Sequence, residues 1–343
     1  MGRSFIGFAV LAQLYAGAAI AAPTCATCHE KQAKTQPETP MARAMLAPDA
    51  DPVFQKHPLL TLTLGAYTWQ IERKGSGLVY TATNGTDSLS LPVRWIFGEG
   101  SQTFVLEYKN RFYESRVTYY PEIDKLDFTV GNQTAHLGSI VDVMGREVSS
   151  REIVTCFECH STGAIVDDRL QPAAATFGVQ CEHCHRGAET HRADIVNGKL
   201  DSVPPKLGRM ATEDISNFCG QCHRSWGEVV RGHMFGLTDV RFQPYRLTKS
   251  KCYDGSDARI GCLACHDPHN NLITADSFYE AKCLACHPAK PHAKSLKPLA
   301  KACPVAKTGC IGCHMPKTQQ PGGPRILTDH FIRVVHPGEA FPE

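Results

Sequence analysis

The sequence predicts an α+β protein: a loop-rich, mostly short-helical chain folded round bound groups, with a small antiparallel β domain inserted near its start. Three observations predict it. The pentapeptide C-x-x-C-H occurs seven times in 343 residues. Residues 59–130 contain neither Cys nor His and alternate apolar with polar side chains. Pro and Gly are spread through the remainder, which suits loops and short helices rather than long ones.

The pentapeptides are taken first. They are Cys25-Cys28-His29, Cys156-Cys159-His160, Cys181-Cys184-His185, Cys219-Cys222-His223, Cys262-Cys265-His266, Cys283-Cys286-His287 and Cys310-Cys313-His314. C-x-x-C-H is the attachment pattern of c-type haem: two thiols add to the vinyl groups and the adjoining His becomes the proximal iron ligand. With 16 Cys and 16 His in the chain, random order would give roughly 0.03 such motifs. Structural zinc pairs two C-x-x-C units, or one with two His, and needs no His after every second Cys. Seven covalently bound haems c are therefore expected, each with its own pair of thioethers and its own proximal His. The fold class then becomes specific: a multihaem cytochrome, with the β domain inserted after the first haem.

Residues 1–22 read as a secretory signal peptide, with Arg3 in the positive region, an apolar run from Phe5 to Ala22, and Ala19-Ile20-Ala21 as a small-residue cleavage site. An exported protein is expected, periplasmic or extracellular, with no transmembrane segment in the mature chain. Net charge is +2; loss of Arg3 and gain of two propionates per haem would take it to about −13. No basic cluster is large enough for a phosphate footprint, which excludes nucleic acid as a partner. Fourteen of the 16 Cys lie in the motifs. The remaining two, Cys252 and Cys303, are a disulfide candidate in an oxidising compartment.

Residues 23–58 form a first haem segment. Within it Thr39-Pro40-Met41-Ala42-Arg43-Ala44-Met45 has the look of a short helix start, with both Met on one face. Residues 59–135 are the β domain. Tyr67–Arg73, Leu78–Thr83, Thr103–Tyr108 and Phe112–Tyr119 are strand candidates. Lys74-Gly75-Ser76-Gly77, Asn84-Gly85 and Lys109-Asn110 supply the turns of a five- to seven-stranded meander. Residues 136–343 form a six-haem domain with roughly one haem per 34 residues, a density at which the porphyrins must act as the core.

Nine His remain for the far faces of the irons: His57, His136, His183, His191, His233, His269, His292, His330 and His336. All except His183 are candidate distal ligands, and Met41 is another. His183 sits inside its own motif and can serve only an adjacent haem. His269 lies three residues after His266 and cannot reach the far face of its own haem, so it should serve a neighbour. The same holds for His191 after His185. Two His saturate an iron and leave it only electron transfer; a vacant position makes a substrate site.

Four stretches resemble multihaem c-type cytochromes of the cytochrome c-554-like family, including forms fused to tetratricopeptide repeats. Cys156-Phe157-Glu158-Cys159-His160-Ser161-Thr162 is similar to the family's F-x-C-H-x-T segment. Phe177–His185, with Gly187 and His191, is similar to G-V-x-C-E-x-C-H-G-P-G-x-x-H, without its Pro. Cys262–His269 is similar to C-x-x-C-H-D-P-H, and Cys310–Lys317 with Thr328-Asp329-His330 is similar to C-H-M-P-K and T-D-H. The resemblance spans about residues 23–335. It implies His191, His269 and His330 as distal ligands. Near the first haem relatives carry S-x-H-x-x-A-M; here Met41 stands at the His position, which implies a Met-ligated or open first haem.

The expected function is electron relay through closely packed, mostly bis-His haems between a redox protein donor and acceptor. Heavily haem-loaded chains of this kind can also assemble as a homo-oligomer or filament in an extracellular electron-transfer chain. The rival is an oxidoreductase acting on a small nitrogen or sulfur compound at one open haem.

Overall fold

The computed structural model describes residues 24–133, 137–256, 259–287, 303–336 and 338–342. Residues 1–22, expected to be a signal peptide, and His136 and His292 lie outside the described residues. Nine strands form one antiparallel sheet: β1 (Met45–Leu46), β2 (Leu59–Leu64), β3 (Tyr67–Lys74), β4 (Gly77–Thr83), β5 (Ser88–Phe97), β6 (Gln102–Tyr108), β7 (Arg111–Tyr120), β8 (Lys125–Phe128) and β9 (Gly145–Val148). β2 to β8 follow one another in chain order, while β1 adds to β5 and β9 to β7. The turns are those the sequence suggested: Lys109 and Asn110 adopt φ values of 50° and 58°, the left-handed pair that a tight hairpin between twisted strands requires.

The sheet corrects the expected fold class. It is large and nearly closed, a β-barrel-like domain, and not a small insertion in a loop-rich, mostly short-helical cytochrome; helix makes up 34% and strand 24% of the described residues. Closure has a local cause. Register shifts at Val93/Trp95 and Thr103/Val105 mark bulges in the middle strands, and bulges bend a sheet. The bend brings β2 against β8, the two ends of the strand order. Period-two side chains then point inward: Leu60, Trp69, Ile71, Leu78, Tyr80, Ile96, Phe104, Leu106, Val117 and Leu126 form one core.

Thirteen short helices lie among the described residues. They are α1 (Cys25–Cys28), α2 (Glu30–Thr35), α3 (Val53–Lys56), α4 (Ile140–Met144), α5 (Ser150–His160), α6 (Cys181–Cys184), α7 (Ala188–Val196), α8 (Thr212–His223), α9 (Trp226–Arg231), α10 (Gln243–Thr248), α11 (Cys262–Cys265), α12 (Asp276–Cys286) and α13 (Cys310–His314). α4 plugs the barrel core with Val143 and Met144. Its carbonyls also satisfy the two polar atoms that aromatic burial would strand: Trp69 Nε1 donates to Val143 O at 2.7 Å and Tyr80 Oη to Met144 O at 3.0 Å.

The outer face of the same strands is buried too. Trp95, Phe97, Val105 and Val148 pack on Ile153 and Phe157 of α5. Phe157 meets Trp95 edge-on at 4.9 Å and Phe97 at 5.5 Å, favourable geometry for aromatic pairs. The helix of the second C-x-x-C-H motif is thus bolted to the barrel wall. The helix start expected over Thr39–Met45 is a turn leading into β1. Met45 pairs with Phe97 across the sheet and is 1% exposed in this second core, so sheet pairing and burial override the local helical pattern.

Candidate haem-binding sites

In each motif the first Cys, second Cys and His occupy positions i, i+3 and i+4. On a helical turn these three positions share one face. The structure supplies that turn at every motif. α1, α6, α11 and α13 begin on the first Cys, while α5, α8 and α12 end on the motif. In four of them the His amide closes the turn on the first Cys carbonyl at 2.8–2.9 Å: His29 on Cys25, His185 on Cys181, His266 on Cys262 and His287 on Cys283. Two thiols and an imidazole on one side of a turn is the donor set that a thioether-linked, iron-centred macrocycle needs.

Ring orientation supports the same fit. His160 Nδ1 donates to Ala44 O at 2.7 Å and His314 Nδ1 to Arg333 O at 2.8 Å. Among the candidate distal ligands, His330 Nδ1 donates to Thr328 O at 3.0 Å and His191 Nδ1 to Ser202 O. A carbonyl can only accept, so the proton is fixed on Nδ1 and the Nε2 lone pair is left for a metal. Burial holds His160, His185, His223 and His266 below the usual imidazole range, and pushes His330 down to about 4. These rings are neutral at neutral pH, as a ligand must be.

Two cross-motif pairs stand out. The rings of His185 and His269 have centroids 6.0 Å apart and planes within 10°; those of His266 and His330 are 6.2 Å apart. Two iron–nitrogen bonds of about 2 Å plus two ring radii would set the centroids about 6 Å apart. The ring of His269 thus faces His185 of another motif, and that of His330 faces His266, at spacings that would fit two imidazoles on one iron.

The other candidates are placed differently. His57 Nε2 pairs with Asp124 Oδ1 at 2.9 Å, and Tyr119 Oη donates to the same oxygen at 2.6 Å, so its ring ties α3 to the β7–β8 hairpin. His233 is exposed, with φ of 49°. His336 is exposed, and its amide donates to Glu339 Oε2 at 3.1 Å. His183 is half-buried beside Ser161. Met41 is half-buried and accepts a backbone bond from Val179 at 2.9 Å. Cys252 and Cys303 are both exposed and are not joined to each other.

The motifs touch one another. Thiols meet between Cys25 and Cys181, Cys159 and Cys222, and Cys219 and Cys262. α12 packs on α11 and α13, and Glu280 Oε1 accepts the amides of Gly309 and Cys310, the latter at 3.0 Å. One backbone junction gathers the first three motifs. Val179 N donates to Met41 O at 2.9 Å, Gly178 N to His160 O at 3.1 Å, and Gln36 Nε2 to Val179 O at 2.7 Å.

Beyond Cys262 the protein core thins out: Ile311 is the one buried apolar side chain among the described residues, while Leu272, Ile273, Phe278, Ile326 and Val334 are exposed. Three motifs lie in this stretch, and apolar surface left bare around them is what a large flat hydrophobic group would cover. An open polar cleft of about 700 Å³ lies elsewhere, on the face of α8 carrying Glu213, Asn217 and Gln221. Helical periodicity sets those residues on the face of α8 away from Cys219, Cys222 and His223, so the cleft adjoins the fourth motif through Gln221 on the side away from its thiols and imidazole.

The α5 cap predicts an acid-sensitive helix at the second motif. Ser149 and Glu152 cap each other's backbone, at 3.2 Å and 2.9 Å. These bonds and Arg146 hold the Glu152 carboxyl down at about 2, against an ordinary value of 4.5. A depressed carboxyl contributes stability above its unfolded pKa and loses it as pH falls through the folded one. We expect Glu152→Ala to cost about 1 kcal/mol at neutral pH, discounted for solvent screening. That difference from the wild type should fade between about pH 4.5 and pH 2 in denaturant titrations.

Sequence inspection missed the carbonyl acceptors of Ala44, Ser202, Thr328 and Arg333, because a backbone oxygen has no residue signature. It also missed Glu280 and Arg246, whose partners lie far along the chain. No helix among the described residues is long and apolar enough to cross a membrane. A family model described as cytochrome c554 and c-prime matches residues 127–186, which hold the second and third motifs. The match supports a c-type cytochrome, with covalently bound haem c and an electron-carrier role that implies redox partners. No curated protein and no solved structure matches the chain.

Proposed function

We propose that the protein is an exported electron carrier that holds seven haems c and relays electrons between redox partner proteins through contiguous motifs. The observation that carries this reading is the pairing of imidazoles from different parts of the chain, His185 with His269 and His266 with His330. Haem iron supplies one-electron chemistry when bound. The protein's own residues do the rest. The motif Cys hold the groups on single helical turns, and carbonyl-bonded Nδ1 atoms aim the imidazoles. The thiol contacts and helix packing support a contiguous order of motifs one, three, four, five, six and seven, with the second beside the fourth. Saturated irons at the third and fifth motifs suit electron passage rather than substrate binding.

The reading is tested on the purified exported protein by intact mass and by electron paramagnetic resonance during a redox titration. Seven haem increments over the mature polypeptide, with mostly low-spin ferric signals, are expected. Fewer than seven increments overturns the count. A dominant high-spin signal that shifts on adding nitrite or sulfite overturns the carrier reading in favour of an oxidoreductase.

A further inference from the structure

The segment that presents His330 is held by hydrogen bonds and not by regular secondary structure. Residues 329–336 form no helix or strand, and apolar packing around them is sparse. Their backbone bonds the seventh motif and the residues just after it, Asp329 N to Pro316 O at 3.0 Å, Arg333 N to His314 O at 3.2 Å and Val335 N to Cys313 O at 3.3 Å, while the buried side-chain grip comes from α10. Arg246 is 0% exposed and forks onto Asp329: Nε donates to Oδ1 at 2.9 Å and Nη2 to Oδ2 at 2.8 Å. Its third nitrogen, Nη1, donates to Pro342 O at 2.8 Å and pairs with Asp239 Oδ1 at 3.1 Å. Phe341 and Phe331 lie against the guanidinium at 4.4 Å and 5.4 Å.

Asp329 spreads the hold further. It accepts from Arg333 Nη1 at 2.8 Å and from the Phe331 amide at 3.0 Å. Just past α10, Ser250 Oγ accepts from the Ile332 amide at 2.8 Å and donates to His330 O at 3.3 Å. The backbone on either side of His330 is therefore tied on one side to the seventh motif and on the other to α10 and the residues that follow it.

We propose that Arg246 is the positioning residue that sets His330 opposite His266 at the fifth motif. This rests on the bis-His reading of that motif. A buried ion pair is a poor way to add stability, because desolvation offsets most of the Coulomb gain; its surviving use is to fix geometry. Arg333 Nε also pairs with Glu339 Oε1 at 3.1 Å, so Arg246 and Arg333 are gathered with three carboxylates, Asp239, Asp329 and Glu339. Planar bidentate contact restricts both distance and rotation. Lys cannot reproduce it: an ammonium is a point charge without a fork.

The test uses the full-length holoprotein and three variants, read by electron paramagnetic resonance with and without added imidazole. His330→Ala probes the underlying reading and should convert one low-spin haem to high-spin, with imidazole restoring it. Arg246→Lys should convert the same component partially, and imidazole should rescue it, which a loosened core alone would not produce. Asp329→Asn is nearly isosteric, leaves no cavity, and should do the same; it decides the matter alone if Arg246→Lys does not accumulate. If His330→Ala opens a haem while Asp329→Asn, and Arg246→Lys where it accumulates, keep the wild-type spectrum, the positioning role is overturned and the bis-His reading stands. If His330→Ala changes nothing, the reading beneath it fails.

Discussion

Gly178→Ala is expected to disconnect the first three motifs. Gly178 has φ of +75°, and a Cβ there would lie 1.7 Å from Ala42 O and 2.4 Å from its carbonyl carbon. Neither neighbour is a flexible side chain, so the backbone itself must move. Left-handed backbone costs an L-residue about 1–2 kcal/mol, and forcing two packed segments apart adds about 1–3 kcal/mol. The site of the strain matters more than its size. Gly178 lies where Val179 N meets Met41 O, His160 O accepts from Gly178 N, and Thr162 Oγ1 donates to Gly178 O at 3.0 Å. Separation there also moves Ala44, whose carbonyl orients the His160 ring. The expected outcome is a loss of about 2–5 kcal/mol in denaturant unfolding, with altered low-spin signals from the second and third motifs. Wild-type stability in Gly178→Ala would show that the junction does not join these segments.

His269→Ala is expected to open one haem, and that haem belongs to the third motif although His269 follows the fifth. Its ring lies 6.0 Å from His185, nearly parallel, and Asp267 Oδ1 accepts from its Nδ1 at 3.1 Å. The Asp267 carboxyl is held below the ordinary carboxylate range, chiefly by the His269 amide. It therefore stays charged at neutral pH and keeps the proton on Nδ1, with Nε2 free. Loss of the imidazole should move about one seventh of the low-spin intensity to high-spin, with restoration by added imidazole. His183→Ala, in the same motif as His185, should leave the spectrum unchanged. The reverse result would exchange the roles of the two residues.

The sequence by itself determined the chemistry. A His fixed after every second Cys is a local constraint, legible without any tertiary information, because i, i+3 and i+4 meet on one helical turn wherever that turn lies. Strands β3, β4, β6 and β7 were legible for the same reason: alternation and the Lys109-Asn110 turn are short-range signals. Only the tertiary structure decided how large the β unit is. β1 and β9 are too short to show a period, the bulges at Val93/Trp95 and Thr103/Val105 carry no residue mark, and closure depends on β2 meeting β8 across the whole meander. It also decided which imidazole faces which. His269 and His185 are separated by 84 positions, and Arg246 and Asp329 by 83. Pairings of that span are set by packing and by buried charge, which no local pattern encodes.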